Sequence, residues 1–408
     1  MRRRNALALL AALLTALLAG CAPAPVTRLP ETPIAQPTRP PASATPAPSS
    51  TPSLTPTVTP TGTPAPTPVG ALTRGPYLQS PASDSIVIVW ETDRPMPGEV
   101  FYGLGGAYDQ QVVSTDTGLR HEVTLHGLQP GVEYAYRIAS RGYPLAEAGR
   151  FRTAPPAEAA SFTFAAFGDT RTGHEVHRRV AEAILAERPD FALHTGDLVG
   201  FGSQVSEWDR FFDLERGLLA SVPLFPSLGN HEENSARYFE AFVLPGNERW
   251  YTFEWGNARF ISLQIDAIVP FGRQSEQVRW LEATLAANAQ PWVIVWFHLP
   301  PFDSYTKTDL SSAVRINLVP LFERYQVDLV ISGHSHNYQR SNVNGITYLV
   351  TAGGGAELNP LLVAGPELEV GFGGNHFVRF QVDGTALTAQ AITIDGEIVD
   401  EFSLTSVR

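Results

Sequence analysis

Two histidines separated by one residue, His334 and His336, follow a short apolar run at residues 327–331. The run predicts a buried strand. In an extended segment, side chains at positions i and i+2 point to the same side, as two ligands in one metal site must. Hydrogen-bonded loop histidines have the same spacing, so the pair by itself leaves both interpretations open.

Four polar clusters upstream stand in the same relation to an apolar run. Each one begins where a predicted strand ends, and glycines precede several of the polar side chains. The clusters are Gly168-Asp169-Thr170-Arg171, His194-Thr195-Gly196-Asp197-Leu198, Gly229-Asn230-His231-Glu232 and His298-Leu299-Pro300-Pro301. In an open α/β sheet, ligands bind at the carboxyl ends of the strands, and glycine lets the backbone turn sharply near a ligand. The arrangement therefore predicts a ligand site at this edge.

The residue types in the clusters indicate a metal site. Carboxylates, an amide oxygen and imidazoles, with no thiolate, suit Zn, Mn or Fe. An aspartate can bridge two ions about 3.5–4 Å apart, which lower the pKa of a bridging water and hold phosphoryl oxygens during displacement. A histidine that is not a ligand can protonate the leaving oxygen. Hydrolysis of a phosphate ester is the chemistry that such a site would perform.

The elements around the clusters alternate between strands and helices. Apolar stretches at residues 161–167 and 291–297 predict strands, and apolar residues at helical spacing predict helices over 174–187, 274–287 and 312–325. This alternation indicates an α/β domain over residues 160–408, in which each strand positions one cluster.

The preceding region, residues 71–154, has a different pattern. Short alternating segments, such as residues 85–91 and 121–125, predict strands without any helical period, and this indicates a β-sandwich. Its segment Leu128-x-Pro130-x-x-x-Tyr134-x-Tyr136 resembles a fibronectin type III domain, in which a tyrosine ties the corner. We expect this fibronectin-like all-β sandwich to act as a spacer or clamp.

Residues 1–21 have the pattern of a targeting segment. Arginines at positions 2–4 precede an apolar stretch at 6–18, and Leu18-Ala19-Gly20-Cys21 resembles a bacterial lipoprotein signal. The resemblance implies cleavage before Cys21 and lipidation of its thiol, whereas an ordinary signal peptide with an accidental cysteine is the alternative. Cys21 is the single cysteine of the chain, so no disulfide is expected.

Residues 22–70 contain little besides Pro, Thr, Ala and Ser, which predicts a disordered tether. With the acyl anchor, this predicts a membrane-anchored bacterial lipoprotein at the cell surface or in the periplasm, held by the lipid bilayer. The 408-residue chain has a net charge of −12, which argues against nucleic acid as a partner but not against small phosphate esters, because bound metal ions dominate the local field. No pattern indicates an oligomeric state.

The order of the five clusters, Gly-Asp, Gly-Asp, Gly-Asn-His-Glu, His and Gly-His-x-His, is similar to that of calcineurin-like metallophosphoesterases. The β-sandwich and the stretch Gly333-His334-Ser335-His336-Asn337-Tyr338-Gln339-Arg340 resemble the purple acid phosphatase branch. The resemblance covers residues 73–408 and implies a four-layer αββα sandwich with two divalent or trivalent ions, Fe, Mn or Zn. It implies hydrolysis of phosphate monoesters by a metal-bound hydroxide. A phosphodiesterase or nucleotide pyrophosphatase, or a surface binding protein with a weakened metal site, are the alternatives.

The resemblance also implies roles for individual residues, with Asp197 bridging the two ions. The remaining ligands would be Asp169 and His336 at one ion, and Asn230, His298 and His334 at the other. His231 would protonate the leaving alcohol. Simpler interpretations remain open: Asn230 as a turn residue, His298 as a buried hydrogen-bonded histidine, and His231 with Glu232 as a helix cap.

Two positions depart from the family pattern. Purple acid phosphatases have a tyrosine ligand three residues after the second aspartate, where this chain has Gly200. Many other metallophosphoesterases have a histidine two residues after the first aspartate, where this chain has Arg171. The Arg171 guanidinium suits bidentate contact with phosphate, and a surface arginine is the alternative. His174 would contact substrate or replace a ligand, unless it is a surface residue at a helix end.

Because residue 200 is glycine, no phenolate at that position can bind iron. We therefore expect no purple charge-transfer absorption in the iron-loaded protein. A visible spectrum of the iron-reconstituted protein, with the zinc-loaded protein as reference, measures this directly. A charge-transfer band in the iron sample alone would contradict the expectation.

Overall fold

The described part of the chain begins just before the predicted β-sandwich. A computed structural model describes residues 70–146, 149–159, 161–304, 309–361 and 367–408. The predicted signal peptide, Cys21 and nearly all of the predicted tether lie outside the described residues. Within the described ranges, every helix is too short or too polar to span a bilayer.

The first described region folds into two small sheets with a shared apolar core. The strands are β1 (Leu72–Gln79), β2 (Ser85–Thr92), β3 (Glu99–Leu104), β4 (Gln110–Val113), β5 (Arg120–His126), β6 (Glu133–Ser140), β7 (Tyr143–Pro144) and β8 (Gly149–Arg152). One sheet has the order β1-β2-β5, and the other has the order β4-β3-β6-β7 with β8 paired to β6. All of these pairings are antiparallel.

Alternate residues of both small sheets fill the core between them. Ile88 and Trp90 of β2 and Tyr136 and Ile138 of β6 are fully buried in one cluster. The Tyr134 hydroxyl accepts a hydrogen bond from the backbone N–H of Gln129 at 2.9 Å, which ties the turn before β6 to its own strand. The strands predicted at 85–91 and 121–125 correspond to β2 and β5.

The α/β region contains two larger sheets and seven described helices. Its elements are β9 (Ser161–Phe167), α1 (His174–Glu187), β10 (Phe191–His194), α2 (Val205–Leu214), α3 (Arg216–Leu219), β11 (Leu224–Pro226), α4 (Ala236–Ala241), β12 (Tyr251–Trp255), β13 (Ala258–Ser262), α5 (Glu276–Ala286), β14 (Trp292–Trp296), α6 (Asp309–Asn317), α7 (Val319–Arg324), β15 (Leu329–Ser332), β16 (Tyr338–Val343), β17 (Ile346–Thr351), β18 (Leu368–Phe372), β19 (His376–Asp383), β20 (Ala386–Thr393) and β21 (Ile398–Thr405). The six-stranded sheet has the order β11-β10-β9-β19-β20-β21, and the seven-stranded sheet has the order β12-β13-β14-β15-β17-β16-β18.

Each large sheet has a parallel part that carries the polar clusters. Strands β9, β10 and β11 are parallel neighbours, as are β13, β14 and β15. The antiparallel strands β19, β20 and β21 extend the first sheet, while β16 and β18 extend the second. Only the parallel parts bring several carboxyl ends to one edge, so they position the site.

The two large sheets pack face to face through aromatic side chains. The Phe164 ring of β9 stacks on Phe380 of β19 at 4.5 Å and packs edge-on against Phe260 of β13 at 5.2 Å. Helix α1 adds Val180 to this core. On the other face of the seven-stranded sheet, α5, α6 and α7 pack against Val293 and Val295 in a second cluster. The layers are therefore helix, sheet, sheet and helix, the αββα order that the family resemblance implies.

Buried polar contacts attach the small sandwich to the α/β region, and both belong to one compact unit. The Tyr77 hydroxyl of β1 donates to the carbonyl of Ala241 at 2.8 Å, and the Tyr136 hydroxyl donates to the carbonyl of Ala220 at 2.9 Å. Because both tyrosines are completely buried, these bonds also satisfy groups that burial would otherwise leave unpaired.

One predicted helix is wrong in its extent. The single helix expected over 312–325 is two helices, α6 and α7, with Leu318 between them. Pro320 lies in the first turn of α7, where its missing N–H is tolerated, but the same proline cannot continue a helix from α6. By contrast, α1 spans the predicted residues 174–187.

Candidate metal centre

The five polar clusters meet at one edge of the α/β region. Asp169, Asp197 and Asn230 follow β9, β10 and β11 of the six-stranded sheet, while His298 and His334 follow β14 and β15 of the seven-stranded sheet. The His298 ring hydrogen-bonds through Nδ1 to the carbonyl of Thr195 at 2.9 Å, which joins the two edges. The predicted position of the clusters is thus what the fold produces.

Four of the predicted ligands have left-handed backbone conformations. The φ angles are 57° at Asp169, 56° at Asp197, 71° at His334 and 45° at His336. Each such residue costs of order 1–3 kcal/mol unless its surroundings fix it. Here the N–H of Asp169 donates to Gly196 at 3.0 Å, and the N–H of His334 donates to the Asp169 carboxylate at 3.0 Å. These hydrogen bonds hold the loops in the strained conformation, which directs several side chains to one point.

Glycine is required where two of the loops touch. A Cβ on Gly333 would lie 2.6 Å from Asp169 Oδ2, and a Cβ on Gly229 would lie 2.3 Å from Asp197 Oδ1. Real Cβ atoms do not approach oxygen so closely. The glycines before His334 and Asn230 therefore permit the close approach that the sequence pattern predicted.

Asp197 lies at the centre with its two carboxylate oxygens facing different groups. Oδ1 accepts the N–H of His231 at 3.0 Å and is 3.4 Å from His298 Nε2. Oδ2 is 3.3 Å from Arg171 Nε. This division of the two oxygens is the geometry that a bridging ligand needs.

The first half of the site brings together Asn230, His298 and His334. Asn230 Oδ1 lies 3.0 Å from His298 Nε2 and 3.1 Å from His334 Nδ1, and the two ring nitrogens are 3.2 Å apart. Because Thr195 presents a carbonyl, His298 carries its hydrogen on Nδ1 and leaves a lone pair on Nε2. Burial lowers the pKa of His298 and favours this neutral ring.

In that half, therefore, the lone pair of His298 faces the oxygens of Asn230 and Asp197. A cation between these groups would satisfy all of them, and imidazole, amide oxygen and carboxylate are ligands that Zn, Mn and Fe accept. Burial also lowers the pKa of His334, to about 4, which keeps its nitrogen available at neutral pH. The residues of this half fit a metal ion.

The second half contains Asp169, Asp197 and His336, whose ligand atoms lie within 4.8 Å of one another. His336 Nε2 is 3.5 Å from Asp169 Oδ1, and its Nδ1 hydrogen-bonds to the Glu357 carbonyl at 2.6 Å. Burial and the neighbouring Asp197 raise the pKa of Asp169. A bound cation would favour its carboxylate, so this half also fits a metal ion.

His231 lies beside the ligands but is oriented by a different group. Its Nδ1 is 2.7 Å from the carbonyl of Gly200, which leaves Nε2 pointing toward Asp197 Oδ2 at 3.9 Å. The interpretation as a helix cap is wrong, because α4 begins later and Ser235 caps it through a bond from the N–H of Arg237. A histidine beside Asp197 that is not one of the predicted ligands is a suitable proton donor.

The two predicted substrate contacts differ in position. Arg171 lies within the site, with Nε near Asp197 and Nη2 at 3.2 Å from His336 Nε2. His174, at the start of α1, lies near Arg210 and Glu207 of α2, and burial followed by Arg210 lowers its pKa. Among the described residues, no hydrogen bond joins His174 to a predicted ligand, so its role stays a prediction.

Sequence reasoning missed the function of Glu232. This residue is completely buried, and its carboxylate accepts four backbone N–H groups. The donors are Gly229 at 2.6 Å, Leu198 at 2.8 Å, Asp197 at 2.9 Å and Val199 at 3.3 Å. Burial raises the pKa of Glu232, while the four donors stabilise its charged form. The sequence did show an acidic residue directly after Asn230-His231. Hydrophobic periodicity, however, does not predict where the side chain of that residue points.

Replacing Glu232 by glutamine should damage the whole centre. The amide nitrogen would face backbone N–H donors that no longer have an acceptor, so we expect Glu232→Gln to lower the free energy of unfolding by about 2–3 kcal/mol. Urea denaturation measures the loss. Glu233→Gln is the matched control, because Glu233 is exposed and, among the described residues, its side chain accepts one hydrogen bond, from Ser203. This change should alter stability by less than about 0.5 kcal/mol. Equal stability of the two variants would contradict the structural role of Glu232.

Comparison with known proteins agrees with this geometry. The family model for calcineurin-like phosphoesterases matches residues 162–338. Human acid phosphatase type 7 is 30% identical over 382 residues, covering 78% of this chain and 87% of the relative. Phosphoenolpyruvate phosphatase of Allium cepa is 26% identical over 347 residues, covering 74% of this chain and 69% of the relative.

Solved structures show the same fold at lower identity. A purple acid phosphatase from yellow lupin seeds superposes with a TM-score of 0.72 at 20% identity, covering 82% of this chain and 74% of that one. PhoD superposes with a TM-score of 0.70 at 15% identity, covering 84% of this chain and 92% of that one. The chain belongs to the calcineurin-like phosphoesterase family and is a metal-dependent phosphoesterase related to the acid and purple acid phosphatases.

Proposed function

We propose that this protein hydrolyses phosphate monoesters at a dinuclear metal centre formed by the five clusters. The observation that carries the proposal is the arrangement of facing acceptors. The lone pair of His298 faces Asn230 and Asp197, and the carboxylates of Asp169 and Asp197 lie beside His336. Two cations would satisfy both groups and share Asp197 as the bridge.

Each predicted ligand has a distinct part in this proposal. Asn230, His298, His334 and Asp197 would hold one ion, and Asp169, His336 and Asp197 would hold the other. When bound, the ions supply an activated water and positive charge that stabilises the transition state. The tertiary structure contributes the fixed directions of the side chains, since backbone carbonyls orient His298 and His336.

His231 supplies the proton in the proposed reaction. The Gly200 carbonyl holds Nδ1, so Nε2 is the nitrogen that faces the site. Water would attack phosphorus and release one proton to solvent as the ester P–O bond breaks. The leaving alcohol would take its proton from Nε2 of the His231 imidazolium, whose Nδ1–H stays bonded to the Gly200 carbonyl. Arg171 has its guanidinium within the site, where it can contact phosphoryl oxygens.

The relatives favour monoesters as the substrate class. One of them is named for action on phosphoenolpyruvate, and others are named acid or purple acid phosphatases. A panel of nitrophenyl mono- and diesters, nucleotides and phytate, assayed with Mn, Zn and Fe, separates the monoesterase from a diesterase or pyrophosphatase. A clear preference for the diester would reject the monoester assignment and keep the metal centre.

Ligand and acid variants should fail in different ways. Asp197→Ala and His334→Ala should lose bound metal together with activity, because they remove ligands. His231→Ala should keep its metal and lose about 10²–10⁴-fold in kcat, because only the proton donor is removed. Metal analysis and steady-state kinetics distinguish the two classes. His126→Ala, in an exposed position on β5, is the control, and full activity in all three site variants would reject the assignment.

We extend the proposal to domain organisation and location. Residues 71–154 are a fibronectin type III-like domain, which the Tyr134 corner and the two-sheet core support. Residues 160–408 are the catalytic domain. The N-terminal segment carries the enzyme outside the cytoplasm, with Cys21 as the lipid-modified residue and residues 22–70 as a tether to the membrane.

The anchor can be tested through Cys21 alone. Cys21→Ser should move the enzyme from the membrane fraction to the soluble fraction with unchanged phosphatase activity, because the acyl chains provide the membrane affinity. Fractionation of cells that produce the full chain, followed by immunoblotting, measures the distribution. Retention of Cys21→Ser on the membrane would contradict lipidation at this residue.

A further inference from the structure

Arg171 occupies the second half of the metal centre. Its side chain is 19% exposed, and its guanidinium lies between Asp197 and His336. Nε is 3.3 Å from Asp197 Oδ2, and Nη2 is 3.2 Å from His336 Nε2. The positive charge of an arginine thus lies among the three residues whose ligand atoms converge there.

The hydrogen bond to His336 excludes a metal at the same nitrogen. His336 Nδ1 is 2.6 Å from the Glu357 carbonyl, which can only accept, so Nδ1 carries a hydrogen. Because Arg171 can only donate, Nε2 must hold the ring's single remaining lone pair. That lone pair either accepts from Arg171 or binds a metal ion, and it cannot do both.

The first half of the centre has no such competitor in the structure. Among the described residues, no arginine or lysine hydrogen-bonds to Asn230, His298 or His334. Their acceptors face one another and Asp197 Oδ1. An ion that enters the second half must therefore displace Arg171 from His336. Among the described residues, an ion that enters the first half has no arginine or lysine to displace.

We infer that Arg171 is a built-in competitor for the second ion, so that the protein binds one ion tightly and the second more weakly. The inference rests on the proposed function, in which the centre takes two ions. An ion that binds Asp169, Asp197 and His336 displaces the guanidinium from His336 Nε2. The displaced guanidinium, still attached beside the centre, is then free to contact the phosphoryl oxygens of the substrate.

The weakening of the second ion's binding depends on the fraction of molecules in which Arg171 is hydrogen-bonded to His336. If Arg171 is bonded to His336 in nine of ten molecules, the apparent dissociation constant of the second ion rises about tenfold. Removing the guanidinium removes that factor and leaves the affinity of the first ion unchanged. The competition is thus visible in metal binding itself, without an activity measurement.

The test is titration calorimetry of Mn²⁺ into the chelator-stripped full chain. We expect the wild type to show one tight and one weaker site, and Arg171→Met to tighten only the weaker site, about tenfold. His336→Ala should remove the weaker site and His298→Ala the tight one, which identifies the two halves. Arg178→Met is the control, because Arg178 lies on α1 and, within the described ranges, no hydrogen bond or ion pair joins it to the centre.

The outcomes separate this inference from the proposed function. Two sites in Arg171→Met with the wild-type affinities, in a protein that melts normally, would overturn the competition. If Arg171→Met fails to fold, Arg171→Gln provides the same comparison with a shorter neutral side chain. Absence of any Mn²⁺ or Zn²⁺ binding by the wild type would instead reject the dinuclear centre on which the inference rests.

Discussion

The geometry of the centre depends on the hydrogen bonds that the Glu232 carboxylate accepts. It accepts backbone N–H groups from Asp197, Leu198 and Val199 after β10 and from Gly229 after β11. One buried carboxyl group therefore fixes the loops that carry Asp197 and Asn230. A buried carboxyl group without donors would be costly, and the same donors without an acceptor would be unsatisfied, so the loops and Glu232 stabilise each other.

Strained residues and close contacts lie around Glu232, where the edges of the two sheets meet. Left-handed residues at Asp169, Asp197, His334 and His336 would be unfavourable in an isolated chain. They persist because the packed sheets, joined through Phe164 and Phe260, leave the loops little freedom. The aromatic core therefore supports the metal centre. It holds the edges of the two sheets together, and those edges set the directions of the side chains in the centre.

The two halves of the centre differ in a way that bears on function. In the first half, ring nitrogens face the oxygens of Asn230 and Asp197, an arrangement that suits a cation between them. In the second half, Arg171 already provides positive charge beside Asp197 and His336. If Arg171 contacts the substrate as proposed, it would connect metal loading to phosphate binding, because the same guanidinium cannot bond to His336 and to the substrate together. Gly200, the other departure from the family pattern, contributes its carbonyl to orient His231.

The sequence by itself determined the features that depend on residues close together in the chain. Apolar runs ending in polar clusters predicted the strands and the ligands that follow them, and helical spacing predicted α1 over residues 174–187. Local spacing also misled, since one helix was expected where Leu318 separates α6 from α7 and Pro320 lies in the first turn of α7. Only the tertiary structure decided the contacts between residues distant in the chain. Arg171 and His336 are separated by 165 positions, and the four donors to Glu232 come from two loops. Side-chain direction and partner depend on how the two sheets pack, and neither periodicity nor residue type carries that information.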